Sequence, residues 1–295
     1  MNTKSIPFAH ATALIGCLSL LAAGNAHAYF VRPAVTFGPG ELIDGLIVDG
    51  ATHNAVEFND AARTGRASVD LATGEMRLYA EGNVNTASSS GQGIMGDTLT
   101  FVGGAGTDVH FSWGLEATVD ATVIADTPNG NLLVGSVFFG IFEAGLVDHT
   151  NWFGNAQQDD PDDIAPLFFD TMRVDYSNPV ADLSGAIIDL MIDATIKLDS
   201  DRERFDVFYT SALFGAANVD LGSYLLDGEH TASAGVAVAP GVTVYSDSGV
   251  FLGYGADPAT VALPGMLWLF AAGGLGIAAR RRLPLATASG PRSAG

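Results

Sequence analysis

The sequence predicts an all-β fold, a two-sheet, jelly-roll-like β-sandwich ectodomain, plus one C-terminal transmembrane helix. Three observations carry this. Apolar and polar residues alternate with period two along the middle of the chain, 36 glycines and 12 prolines supply many breaks, and one long uncharged run stands near the C-terminus. Period-two alternation sends one set of side chains to a buried face and the other to solvent. Many strands at short spacing with turn residues between them pack as two sheets over one core. No stretch between the termini offers an amphipathic helix of three turns.

Residues 1–28 read as a secretory signal peptide. Lys4 supplies the positive start, Ala11 to Ala23 is apolar, and Ala26-His27-Ala28 forms a small-residue cleavage site before Tyr29. A rival pattern, Leu14-Ile15-Gly16-Cys17, has the form of a lipobox, although the chain stays apolar to Ala23 where a lipidated cysteine is normally followed by polar residues. Cys17 is the only cysteine. A chain beginning at Tyr29 therefore has no disulfide, no thiol nucleophile and no cysteine ligand for a metal.

Residues 29–255 form the ectodomain, long enough for a single β domain to build its own core. The clearest strand is Val109 to Val119, where every odd position is apolar and every even one polar or glycine. Ile188 to Leu198 alternates likewise, and Phe205, Val207 and Tyr209 resume after the polar stretch Asp199 to Glu203. Two long strands joined by a turn follow. Ala67 to Leu71 and Met76 to Ala80 flank Ala72-Thr73-Gly74-Glu75, and Val242 to Val244 and Val250 to Leu252 flank Asp247-Ser248-Gly249. Both pairs read as hairpins. Leu132 to Phe142 is apolar on both parities, as a strand buried on both faces would be. Trp113 lies on the apolar parity of its strand and belongs to the core.

Charge bounds the partners. Eight basic residues between Tyr29 and Thr260 face all 33 acidic ones, a net charge near −25. Such a field repels phosphate backbones and argues against nucleic acid. With 16% charged and 48% hydrophobic residues the chain has the composition of a folded domain rather than an acidic tail.

Candidate chemistry is sparse. Gly91-Gln92-Gly93-Ile94-Met95-Gly96 matches the dinucleotide G-x-G-x-x-G formally, but a serine run precedes it and no helix follows, so it reads as a flexible loop. Gly103-Gly104-Ala105-Gly106-Thr107-Asp108 is one copy of a calcium-binding unit that works in tandem, and reads as a turn. The densest acidic cluster, Asp159, Asp160, Asp162 and Asp163, offers hard oxygen ligands. These residues are the candidates for weak Ca²⁺ binding in the ~10⁻⁴ to 10⁻³ M range of extracellular modules; no other cofactor is indicated. Trp152, beside this loop, is the candidate sugar-stacking platform, against packing as its alternative. His53, His110, His149 and His230 show no metal spacing, and there is no G-x-S-x-G elbow. Paired carboxylates for glycoside hydrolysis stay open, because their separation is a property of the fold.

Residues 256–260 are a short linker, and residues 283–295 a short tail after the last segment. Between them, Val261 to Ala279 is a run of nineteen uncharged residues followed by Arg280, Arg281 and Arg282. As a helix it spans roughly 28 Å, about a bilayer hydrocarbon core, and the arginines set its cytoplasmic end. Four glycines and Pro264 make it a poor permanent anchor, though an ordinary single-pass anchor is the alternative.

The combination Val261, Leu263, Pro264, the aromatic-bearing run with Trp268, and Arg280 to Arg282 resembles the PEP-CTERM sorting signal of exported Gram-negative proteins, in its VPLPA-type variant. It departs from that variant at Ala262 and Gly265. The segments 66–82, 96–113 and 238–253 are also similar to strand-turn-strand stretches in the ectodomains of such proteins. The resemblance implies passage through the Sec export machinery, cleavage by signal peptidase, and handling by exosortase, a membrane processing enzyme. The protein would be held briefly by its C-terminal helix, then reside at the cell surface or outside it, in a setting of exopolysaccharide and biofilm production. On this reading the chain is an exported, non-enzymatic surface or matrix protein. The alternatives are a glycan- or Ca²⁺-binding sandwich module, with extracellular polysaccharide as partner, and then a secreted hydrolase.

Overall fold

The computed structural model describes residues 29–37, 41–44, 48–83, 88–123, 132–147, 152–157, 163–177, 183–216 and 221–256. The chain divides into two compact units, Met1–Asp257 and Pro258–Gly295. The second unit and residues 1–28 lie outside the described residues, and with them the cleavage site Ala26/Ala28, the segment Val261 to Arg282 and Cys17. Among the described residues no helix is long and apolar enough to cross a membrane.

Two antiparallel sheets form a β-sandwich. The first contains β1 (Phe30–Phe37), β2 (Glu41–Asp44), β3 (Val48–Asp49), β7 (Ser88–Val102), β9 (Leu132–Glu143), β10 (Phe168–Ser177), β12 (Arg202–Ala216) and β14 (Thr243–Ser246). Its order is β10-β9-β12-β7-β1-β2, with β14 beside β7 and β3 beside β1. The second contains β4 (His53–Asn59), β5 (Arg63–Asp70), β6 (Glu75–Gly82), β8 (Asp108–Val123), β11 (Ala186–Lys197) and β13 (Leu221–Val238), in the order β11-β8-β13-β6-β5-β4. From β7 onward the chain changes sheet at every connection except β9 to β10.

The alternation decides which faces meet. On β8, Val109, Phe111, Trp113, Leu115, Ala117 and Val119 are all buried between the sheets, while His110 on the other parity is exposed. Trp113 donates from Nε1 to the Thr210 carbonyl at 3.0 Å, which satisfies its one polar atom inside the core. Across from it Tyr209 stacks on Phe139 at 4.7 Å and on Phe251 at 5.8 Å. Burying each such side chain stabilises the fold by about 1.5–3 kcal/mol.

Two close approaches require glycine. The Tyr224 ring lies where side chains on Gly82 and Gly215 would be, with built Cβ positions 2.5 and 2.1 Å from ring carbons. Its hydroxyl donates to the Gly215 carbonyl at 2.9 Å and lies 3.0 Å from Ser89 Oγ. One aromatic ring thus closes the end of the core where β6, β7, β12 and β13 meet.

The outer face of the first sheet carries a second, smaller core. Helix α1 (Trp152–Gln157) lays Trp152 flat on Phe208, centroids 5.2 Å apart and planes 6° apart. Phe30, Phe142, Val147 and Ala156 complete the cluster. This explains why β9 is apolar on both parities: Leu133, Val137, Phe139 and Ile141 face the main core, while Phe138 and Phe142 face the cover.

Two expectations are corrected here. Gly91 to Gly96 is not a loop but the middle of β7, paired on one side with β1 and on the other with β12. Gly91 faces β5 so closely that a Cβ there would sit 2.4 Å from the Arg66 carbonyl oxygen, so the glycines let the two sheets approach. The hairpin expected over 242–252 does not form. β14 pairs with β7, and residues Phe251–Gly253 turn into a 3₁₀ element that inserts Phe251 into the core. The turn over 71–74 does join β5 to β6, and the strands ending at Lys197 and starting at Arg202 are joined by a turn, although they lie in different sheets.

Candidate functional site

The residues singled out in the sequence do not gather into one site. Trp152 is only 3% exposed, its ring faces occupied by Phe208 and, edge-on, by Phe153 at 5.4 Å. It offers no face to a sugar, and the stacking role is withdrawn: dispersion and burial against the sheet hold the indole more strongly than an open loop position would. Of the acidic cluster, Asp163 is half-buried, next to Ile164, whose amide donates to Asn155 Oδ1 at 2.6 Å. Asp159, Asp160 and Asp162 lie outside the described residues. Among the described residues no three of His, Cys, Asp or Glu come together as metal ligands. Tyr29 is half-buried and its carbonyl accepts the Gly50 amide at 3.1 Å.

Sequence reasoning passed over the outward face of the second sheet. Strand register places Glu57 beside Arg66, Arg66 beside Tyr79 and Tyr79 beside Asp227, while the next row holds Ala55, Ser68 and Arg77. A shallow depression of about 340 Å³ lies here, lined by Ala55, Glu57, Arg66, Ser68 and Arg77. The Arg66 guanidinium lies 4.2 Å above the Tyr79 ring, and the Tyr79 hydroxyl donates to Glu81 at 2.9 Å. Cation–π contact holds the planar fork flat on the sheet. Burial first, then the hydrogen bond and charge of Glu81, push the Tyr79 phenol up to about 12, so it remains a neutral donor. Glu57 stands 4.0 Å from Arg66 and Glu75 3.4 Å from Arg77; such exposed pairs are worth ~0–1 kcal/mol each and yield to a ligand. Arginines on strands one row apart were legible only as period-two outward positions, with nothing to mark them as neighbours.

A second depression of about 460 Å³ opens at one end of the sandwich, where the start of β12 meets the ends of β9 and β11. Its apolar lining is Leu167, Ile196 and Phe205, and its charged lining mixes Lys197, Arg202 and Arg204 with Glu143, Asp199 and Glu203. Arg204 is tied to Asp247 at 2.7 Å. In an acidic protein this depression is locally balanced, with three basic and three acidic side chains among its lining.

Two carboxylates are buried in the first sheet, on opposite faces of β7. Asp206 accepts from Thr98 Oγ1 at 2.5 Å and from the Gly145 amide at 2.7 Å. Burial raises its carboxyl above the usual range, opposed by those two bonds and by Arg204. Asp97 is 1% exposed and takes all its partners from its own neighbour Thr98 and from residues 246–248.

No family model matches the chain, and no curated protein matches it. Among solved structures, a carbohydrate-binding module of the β-sandwich superfamily, from work on the promiscuous specificity of such modules, aligns over 70% of this chain and 84% of its own, at 7% identity and a TM-score of 0.18. At that score the similarity carries no argument. The sandwich architecture stands on the strand pairing described above.

Proposed function

We propose that this is an exported, non-enzymatic surface or matrix protein, a jelly-roll-like sandwich delivered by a PEP-CTERM-like signal. The observation that carries this reading is the C-terminal pattern: Val261, Leu263, Pro264, Trp268 and Arg280 to Arg282 around a run of membrane-spanning length. In this reading 261–282 crosses the inner membrane once, with the arginines inside, until exosortase removes it. Signal peptidase cuts after Ala28. Among the described residues, Tyr254 is the last whose side chain hydrogen-bonds into the sandwich, donating to the Val236 carbonyl at 3.1 Å. Intact mass and both terminal sequences of the protein recovered from its cells test the proposal. Termini at Tyr29 and near Pro264 are expected, whereas a chain still ending at Gly295 would mean a plain anchor and remove the sorting assignment.

A second reading, a glycan-binding module, is favoured by one specific feature, the depression lined by Arg66 and Arg77, with Arg66 held over Tyr79. Flat guanidinium donors beside Glu57 and Ser68 acceptors match vicinal sugar hydroxyls, while the surrounding acids disfavour polyanions. Affinity electrophoresis in neutral and in uronate-rich polysaccharide gels tests it. Retardation by the neutral polymer that disappears in R66A/R77A is expected; equal mobility of both proteins in every gel would exclude this surface.

A further inference from the structure

The long strand β7 is covered on one edge by two different partners, β1 along Ser89 to Gly96 and β14 along Leu99 to Val102. Asp97 and Thr98 occupy the gap between them. The chain after β14 turns back across this gap: the Asp247 amide donates to the Thr98 carbonyl at 3.0 Å and the Leu252 amide to Leu71 at 3.1 Å. Phe251 is driven into the core. Residues 243–254 thus form a strap that closes the sandwich.

At its bend three oxygens form a triangle. Asp97 Oδ2 lies 2.7 Å from Ser246 Oγ and 2.6 Å from Ser248 Oγ, and the two hydroxyls lie 2.7 Å from each other. Each edge of hydrogen-bond length needs a proton. The hydroxyls bring two, so an ionised Asp97 leaves one edge with lone pairs facing each other, whereas a protonated Asp97 supplies the third. The remaining capacity is used elsewhere: Asp97 Oδ1 accepts the Thr98 amide at 2.7 Å and the Ser248 amide at 3.3 Å, and Ser248 Oγ lies 3.2 Å from the Phe251 amide that donates to it.

We propose that Asp97, Ser246 and Ser248 form a proton-operated latch on this strap, closed when the Asp97 carboxyl is protonated and loosened when it ionises. Burial pushes the carboxyl from 3.8 up to about 7 against the pull of its serine and amide partners, so the latch works near neutrality. Of the titratable neighbours, the two tyrosines do not compete in that range, and the Asp206 carboxyl, itself raised by burial, is separated from Asp97 by the variants below. Tyr209 from β12 and Tyr254 from the strap have raised phenols and stay neutral. Asp206 lies across β7 with Thr98, and Arg204 and Asp247 neutralise each other at 2.7 Å. Because the folded value is raised, the latch's contribution is full below about 3.8, declines as pH rises toward about 7, and changes no further above it. The latch does not depend on the route of export.

Hydrogen exchange of the strap amides, on the protein as recovered and corrected for intrinsic rates, tests it between pH 5 and 8. The expected result is strap opening that rises by up to about tenfold per pH unit below about 7 and then levels. Asp97→Asn should remove the slope, Ser248→Ala should raise opening throughout, and Asp206→Asn should keep the wild-type slope. A slope absent in the wild type, or retained in Asp97→Asn, overturns the proposal. If Asp97→Asn does not fold, the carboxyl ¹³C titration of Asp97 in the wild type decides: a midpoint near 7 supports the latch and one near 4 overturns it.

Discussion

Truncating Trp152 to alanine separates packing from ligand binding more cleanly than any other single change. The indole is 3% exposed, stacks on Phe208 at 5.2 Å, and meets Phe153 edge-on at 5.4 Å. Core Phe or Trp to Ala changes cost about 3–5 kcal/mol, including the cavity left behind. The lost stack accounts for ~0.5–1.5 kcal/mol of this. Helix α1 is one short peripheral element and the site can partly collapse, so the lower end, about 3 kcal/mol, is the figure to expect. For a domain of this size that lowers Tm by roughly 6–12 °C. Calorimetry, with near-ultraviolet circular dichroism to follow the indole, measures it. W152F, which keeps a ring against Phe208, should lose about half as much. Gly140 lies beneath the indole with its built Cβ 3.3 Å from the ring, so G140V should be destabilising by the same mechanism in reverse. A W152A protein with unchanged Tm would refute the packing argument and restore Trp152 as a loop residue.

G215A forces a methyl to within 2.1 Å of the Tyr224 ring and should cost about 1–3 kcal/mol or more in urea denaturation, whereas Y224F, which loses only the hydroxyl, should cost ~1 kcal/mol. R77A, at an exposed position, should move stability by less than about 1 kcal/mol, and R66A, half-buried with its guanidinium over Tyr79, by about 1 kcal/mol, so the urea midpoint of R66A/R77A separates lost binding from unfolding. Burial raises the Asp206 carboxyl in the fold. Its contribution is therefore present at acid pH and lost as pH rises through the folded value, and D206N should flatten that part of the pH dependence of the urea midpoint.

Much of the fold was legible because it rests on local periodicity. The odd-numbered face of β8, the two-faced burial of β9 and the turn between β5 and β6 all follow from which side chains alternate and where glycine interrupts. Such patterns need no knowledge of the partner strand, since any partner must accept the same apolar face. The export and sorting signals expected at the two ends of the chain rest on apolar runs and flanking charges alone, and lie outside the described residues.

What the sequence left undecided was everything that depends on who sits opposite. Gly91 to Gly96 has no side-chain pattern to read, and only the packing of β7 against β5 and β6 turns Gly91 and Gly93 from loop residues into a close approach of two sheets. Trp152 is amphipathic enough for either a platform or a core, and the Phe208 ring on the outer face of the sheet, against which it stacks, made the choice. Arg66, Tyr79 and Arg77 become one surface through strand register, and Asp97 meets Ser246 and Ser248 across 149 and 151 residues of chain. A sequence states each residue's own preference for water or for a period, but a hydrogen-bonded triangle or a stacked pair is a property of distances, and the tertiary structure alone sets those.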